Sequence, residues 1–265
     1  MVFDFLTSRF SRRTRELSEV SRISLEDEVF SLFAKGGNLY AREGLSRIVT
    51  IKDGIVNSRK DFKKQISLYA ADAQGVYPSN LFGYEVYLST GEGVGYSIVG
   101  VRDGKPIWQF KTNEPIYDFV VHKEEVFVVA NRTHFLTLKA GNINLDFRLS
   151  KPVEEMVFFK GGLYAISGTF GRYGQPPSRD KHDISVIIGN VVIPKISFEG
   201  LITNLITDGK YLYVRETPDG SKVFVTDENR IITTHDFGSK IGSIAVDTKH
   251  LYAAVGNEII TLKLK

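Results

Sequence analysis

Six positions in the chain share one setting, each standing just before a pair at which a hydrophobic segment begins. They read Ser31, Leu68, Asp118, Glu155, Asn204 and Ser243, and five of the six are polar. A polar side chain recurring at one register of an otherwise apolar strand wants water, a partner or an ion. Two carboxylates and an amide are hard oxygen donors, the ligand type that calcium takes. Asp118, Glu155 and Asn204 are therefore candidate metal ligands for a divalent cation such as calcium, and the plainer reading of the same residues is hydration.

Other chemistry is thinly signalled. The chain has no cysteine, which excludes disulfides, thiolate metal sites and a cysteine nucleophile. His122, His134, His182, His235 and His250 are scattered, with no pair at metal-ligand spacing, and read as structural or solvated. No Gly-x-Ser-x-Gly elbow and no phosphate-binding Gly-Lys-Ser/Thr motif is present. The run Gly91-Glu92-Gly93-Val94-Gly95 is flanked by strand patterns and followed by no helix, so it reads as a hairpin tip rather than a phosphate cradle. No catalytic residue stands out.

The elements that position these residues are read from an internal repeat. An apolar residue is followed three positions later by a pair, and then by Leu or Val and an aromatic residue. The copies are Val29, Leu32, Phe33, Leu39, Tyr40; Ile66, Tyr69, Ala70, Val76, Tyr77; and Ile116, Phe119, Val120, Val126, Phe127. They continue as Val153, Met156, Val157, Leu163, Tyr164; Ile202, Leu205, Ile206, Leu212, Tyr213; and Ile241, Ile244, Ala245, Leu251, Tyr252. Turn residues such as Lys160-Gly161-Gly162 and Asp208-Gly209-Lys210 divide each copy into two strands. A β-rich third strand follows (RIVTI, SIVGV, HFLTL, ISVII, KVFVT, EIITL), and then a fourth that ends in an aromatic in most copies: Phe62, Phe110, Phe147, Phe198, Phe237.

The sixth copy stops after its third strand, whereas residues 17–26 lie upstream of the first copy, where a fourth strand belongs. Pairing that segment with residues 258–264 closes a ring and removes an exposed edge, with Ile23 or Leu25 in place of the usual aromatic. The chain thus resembles the β-propeller superfamily over nearly its whole length, without matching a named subfamily. The resemblance implies an all-β fold: a six-bladed β-propeller closed by an N-terminal strand. Residues 1–14 are then an N-terminal segment and residues 15–265 a single domain. The polar ring falls at the channel mouth. Some six-bladed propeller hydrolases place acidic and amide ligands there, so a metal-dependent, lactonase-like hydrolase is the alternative function.

Two insertions are expected in second-to-third-strand connections on the channel-mouth face, at residues 81–95 and 168–183. The latter carries Phe170, Arg172, Tyr173, Arg179 and Lys181, and aromatics with arginine are the side chains that anchor protein interfaces. These five are the candidate partner-binding residues. If residues 1–14 are helical, Val2, Phe3, Leu6 and Phe10 share one side and suit packing on the flank.

Composition sets the outer bounds. With 34 basic and 31 acidic residues, net +3, the chain lacks the charge excess of a nucleic-acid binder, although Arg9, Arg12, Arg13, Arg59, Lys60, Lys63 and Lys64 form local clusters. No stretch approaches the ~18 apolar residues of a spanning helix. The N-terminus places apolar residues before basic ones, unlike a signal peptide, so a cytoplasmic protein is expected. Few methionines, no cysteine and abundant Lys, Arg, Ile and Tyr suit a thermophile. The expected function is a non-enzymatic interaction scaffold that presents loops to a protein partner.

Overall fold

The structure, a computed structural model, describes residues 17–35, 37–44, 46–61, 85–90, 96–102, 105–122, 125–168, 181–217 and 220–264. These residues form strands and turns, with no helix among them. The strand β1 (Leu17–Ser24) precedes a first unit of β2 (Val29–Lys35), β3 (Asn38–Glu43), β4 (Arg47–Lys52) and β5 (Ile55–Asp61). The second unit holds β6 (Glu85–Thr90), β7 (Tyr96–Arg102) and β8 (Lys105–Thr112). The third holds β9 (Ile116–His122), β10 (Glu125–Ala130), β11 (His134–Lys139) and β12 (Asn142–Arg148). The fourth holds β13 (Val153–Phe159), β14 (Gly162–Gly168), β15 (His182–Ile188) and β16 (Val191–Phe198). The fifth holds β17 (Leu201–Thr207), β18 (Leu212–Thr217), β19 (Lys222–Thr226) and β20 (Ile231–Asp236). The sixth holds β21 (Ser243–Val246), β22 (His250–Val255) and β23 (Glu258–Leu264).

Five sheets have four antiparallel strands and one, β6-β7-β8, has three. The fourth strand of the sixth unit is β1, which pairs with β23 from Leu17↔Leu264 to Ser24↔Glu258. It also reproduces a detail of the other outer strands. Each carries one extra, bulged residue against the third strand: Asn57, Ile107, Asn144, Lys195 and Ile232, and in β1 Val20. A bulge twists an edge away from further pairing. Just past β1, Leu25 is buried and donates its N–H to Asn257, as Phe237 does to Ser221 past β20, so Leu25 takes the place of the aromatic.

The core lies between sheets, and the repeat explains how. In a strand, neighbouring side chains face opposite ways. The Leu or Val before the repeated aromatic packs against the preceding unit: Leu39, Val126, Leu163, Leu212 and Leu251. The aromatic packs against the following one, as Phe127, Tyr164, Tyr213 and Tyr252 do. The pairs on the first strands divide likewise, Met156 backward and Val157 forward, Leu205 backward and Ile206 forward. Both faces of the sheets of the third to sixth units are thus buried, which is why these strands read as near-continuous apolar runs. Fully burying one such side chain contributes about 1.5–3 kcal/mol. First strands adjoin from unit to unit, β9 to β13, β13 to β17, β17 to β21 and β21 to β2.

The second unit departs from expectation. Its second strand is β6, and Thr90 pairs directly with Tyr96, so only residues 91–95 link β6 to β7. Residues 85–90 of the expected connection over 81–95 are therefore strand, and residues 81–84, like the copy placed at Val76 and Tyr77, lie outside the described residues. The glycine run does fall at a hairpin link, because the strands on both its sides pair with each other.

Candidate functional site

In the five units whose first strand is described, the recurring position lies in the first part of that strand, and local backbone geometry aims it; Leu68 lies outside the described residues. In the first, third and fourth units one extra residue bulges just before it: Phe30 before Ser31, Tyr117 before Asp118, Glu154 before Glu155. A bulge redirects the side chain beside it. The inner strand is also a sheet edge, so some of its N–H groups lack a ladder partner and need an acceptor.

The polar side chain of the preceding unit supplies that acceptor. Asp118 accepts from Met156 N at 2.6 Å through Oδ2, and from its own neighbour Phe119 N at 2.8 Å through Oδ1. Glu155 accepts from Leu205 N at 2.8 Å through Oε2 and from the Thr203 hydroxyl through Oε1. Ser243 Oγ accepts from Leu32 N at 3.1 Å. Met156, Leu205 and Leu32 are the same repeat position, the first residue of the pair, one unit further on.

Asn204 departs from this pattern. The register of β17 against β18 shifts between Thr203 and Ile206, and Asn204 takes φ 58°, a region asparagine tolerates better than most residues. Its Oδ1 accepts from Arg215 Nε at 2.7 Å, and Arg215 Nη1 donates to Ile241 O at 2.9 Å in the sixth unit. Burial pushes the Arg215 guanidinium below its ordinary value, opposed by the negative charge of Glu155. The three residues thus lie along one polar line. Asp118 bonds to the neighbour of Glu155, Glu155 bonds to both neighbours of Asn204, and Asn204 reaches the sixth unit through Arg215.

The bulged residues meet arginines. Arg132 stands 4.7 Å from the Tyr117 ring and Arg42 5.2 Å from the Phe30 ring, both within cation–π range. Arg132 also pairs with Glu154 at 2.5 Å. Burial raises the Glu154 carboxyl above the usual range, Arg132 opposes that rise, and the adjacent Glu155 adds to it. Each oxygen of Asp118 and Glu155 already accepts a proton donor. Among the described residues no three His, Asp or Glu side chains are grouped so as to hold a metal ion. What this arrangement does chemically is join one unit to the next.

Of the five candidate partner-binding residues, Lys181 is described and exposed, and Phe170, Arg172, Tyr173 and Arg179 lie outside the described residues, as does the segment 1–14. Gly168 pairs with His182, so residues 169–181 form the β14–β15 connection. His182 itself is buried, with Nδ1 at 3.2 Å from Ile202 N.

The sequence reading missed two charged groups. His134 has Glu114 Oε2 at 2.5 Å from Nδ1 and Asp146 Oδ1 at 2.8 Å from Nε2, while Arg148 bonds to Glu114 at 3.0 Å. The alternation of β12 puts Asp146 and Arg148 on one face, a signal that needs the strand pairing before it means anything. The other is Glu43, fully buried, which accepts from Glu26 N at 2.6 Å and Asp27 N at 3.2 Å and has Arg47 Nε at 3.3 Å. It anchors the turn through which the chain passes from the sixth unit to the first.

No protein-family profile matches the chain, and no curated protein matches it in sequence. Solved structures do match in fold. Raptor from Chaetomium thermophilum is similar at TM-score 0.70 and 10% identity, over 96% of this chain and 29% of Raptor. The chain therefore spans under a third of that protein's length. The WD40 β-propeller domain of Doa1 matches at TM-score 0.60 and 9% identity, over 95% of this chain and 98% of that one. BamB from Moraxella catarrhalis matches at TM-score 0.52 and 12% identity, over 94% and 98%. At such identities the likeness shows a β-propeller fold, without a named subfamily.

Proposed function

We propose that the chain is a six-bladed propeller, closed by its own N-terminal strand, that works as a non-enzymatic scaffold for a protein partner bound on the channel-mouth face. The observation that carries this reading is the use made of the polar ring. The carboxylates that would make the strongest case for chemistry are engaged as latches between blades, which stiffens a disc rather than exposing reactive groups. The β14–β15 connection, residues 169–181, is far longer than the three-residue link Asn131–Thr133 that suffices in the third unit, and it offers recognition side chains on such a disc. Propeller neighbours that include a WD40 domain fit a partner-binding role.

The test is replacement of residues 169–181 by a short Gly-Ser link in the full chain. The melting temperature should stay within a few degrees of the parent, and cross-linking of the native partner should fall at least tenfold. Unfolding of the variant would make the connection structural, and undiminished cross-linking would move the binding surface elsewhere. A cation-dependent hydrolase is the competing reading, and calorimetry with calcium, magnesium and manganese separates the two.

A further inference from the structure

A cavity of about 360 Å³ opens at the seam between the fourth and fifth blades. That volume is at the low end of ligand pockets, about 300–1,000 Å³, and suits one large side chain rather than a cofactor. Its floor is apolar. Phe198 and Phe224 meet edge to face with centroids 5.1 Å apart, beside the buried Ile202. Its charged lining is of one sign: Glu199 and Glu216, with no Lys, Arg or His among the described lining residues. A third carboxylate stands nearby, since Asp183 accepts from Ser197, itself on the lining, at 2.6 Å.

We infer that this seam receives an aromatic or large aliphatic side chain flanked by lysine or arginine on the protein partner. The inference rests on the scaffold reading and names the chemistry of its partner. The apolar floor gains from burying a ring, and aromatic pairs add to plain area burial. The carboxylates select for cations at the flanking positions and against acidic segments. Position supports the assignment: His182, which ends the β14–β15 connection, pairs with Phe198 and bonds to Ile202, so the cavity lies beside the root of that connection.

Gly200 makes the inference testable without disturbing the fold. It lines the cavity, its φ is ordinary, and a Cβ built on it meets nothing within 4 Å. Gly200→Leu should fold normally and fill the mouth. The probe is a labelled peptide, Arg-Arg-Phe-Arg, titrated into the full chain by fluorescence anisotropy, with Arg-Arg-Ala-Arg and Glu-Glu-Phe-Glu as controls. The parent should prefer the first peptide by about tenfold or more over each control. Gly200→Leu should abolish that preference at an unchanged melting temperature. Glu199→Gln and Glu216→Gln should each weaken binding about two- to fivefold at low salt, the range of exposed ion pairs. Equal affinity for the three peptides, no binding at millimolar concentration, or full binding by Gly200→Leu would overturn the inference. So would binding that occurs only after residues 169–181 are replaced, because the chain's own connection would then be the occupant. Partner cross-linking measured on Gly200→Leu keeps the two readings apart. If the peptides fail but the parent still captures its partner, the scaffold stands and the cavity is not its site.

Discussion

The Oδ2 atom of Asp118 accepts the backbone N–H of Met156 at 2.6 Å, across the boundary between two neighbouring sheets. Glu155 and Ser243 repeat the relationship at their own boundaries. A hydrogen bond to a charged acceptor contributes about 1.5–3 kcal/mol, and removing it here also strands a backbone donor. Asp118→Ala and Glu155→Ala should each lower stability by roughly that amount. For a chain of this size that is about 2–4 °C in melting temperature per kcal/mol. Asp118→Asn keeps an acceptor and should lose less. Thermal unfolding with and without calcium adds a second reading: a cation bound by these side chains would raise the parent's melting temperature and not that of Asp118→Asn.

The strand β1 has its own anchor in Glu43. Its carboxylate is fully buried and holds the N–H groups of Glu26 and Asp27, directly after β1. Glu43→Ala should cost about 1–3 kcal/mol, since it strands the N–H groups of Glu26 and Asp27, while Arg47 keeps Glu26 and Asp27 as counter-charges. Removal of residues 1–24 should expose the β23 edge and produce concentration-dependent association, seen by light scattering. A synthetic peptide of residues 17–24 should reverse it. A monomeric truncated chain with unchanged unfolding would show that β1 is dispensable.

The hairpins of the fifth and sixth units share a turn device that ranks two substitutions. Asp208 accepts from Lys210 N at 2.8 Å, Tyr211 N at 2.7 Å and the Tyr213 hydroxyl at 2.8 Å. Asp247 does the same for Lys249, His250 and Tyr252. Tyr213→Phe deletes one bond and should cost about 1 kcal/mol, whereas Asp208→Ala deletes three and should cost at least twice that by urea denaturation. Burial, together with the bond to Asp247, raises the Tyr252 hydroxyl, so Tyr252→Phe should remove a late step from the alkaline absorbance titration.

Glu114 should make stability depend on acid. Burial opposes its ionisation, but hydrogen bonds from His134 and Arg148 outweigh burial and hold its carboxyl below the ordinary 4.5. With a depressed value in the folded state, the unfolded chain binds more protons through this window. The stabilisation is therefore complete above about 4.5 and is lost as pH falls through the folded value. Comparing the parent with Glu114→Gln between pH 3 and 6, the gap in denaturation midpoint should narrow steadily with acidification. A gap independent of pH would remove Glu114 from the account.

The sequence by itself determined the strands, their order within each unit and the partner of the last one. The strands and their order rest on contacts between near neighbours in the chain, and the two-residue alternation of a strand writes them directly, as Leu212 and Tyr213 show by facing opposite seams. The pairing of β1 with β23 was legible for a different reason: the missing fourth strand of the sixth unit left one segment, residues 17–26, without a place. The second hairpin of the second unit was not legible, because Val76-Tyr77 and Val86-Tyr87 offer the same pattern ten residues apart and only pairing with β7 selects the latter. Nor was the purpose of the polar ring. Asp118, Glu155 and Ser243 find their donors 38, 50 and 211 residues away, at separations where residue type says that a partner is needed but not which one. Only the stacking of whole sheets brings those edges together, and with them the acidic seam at Phe198 and Phe224, whose two rings belong to different units.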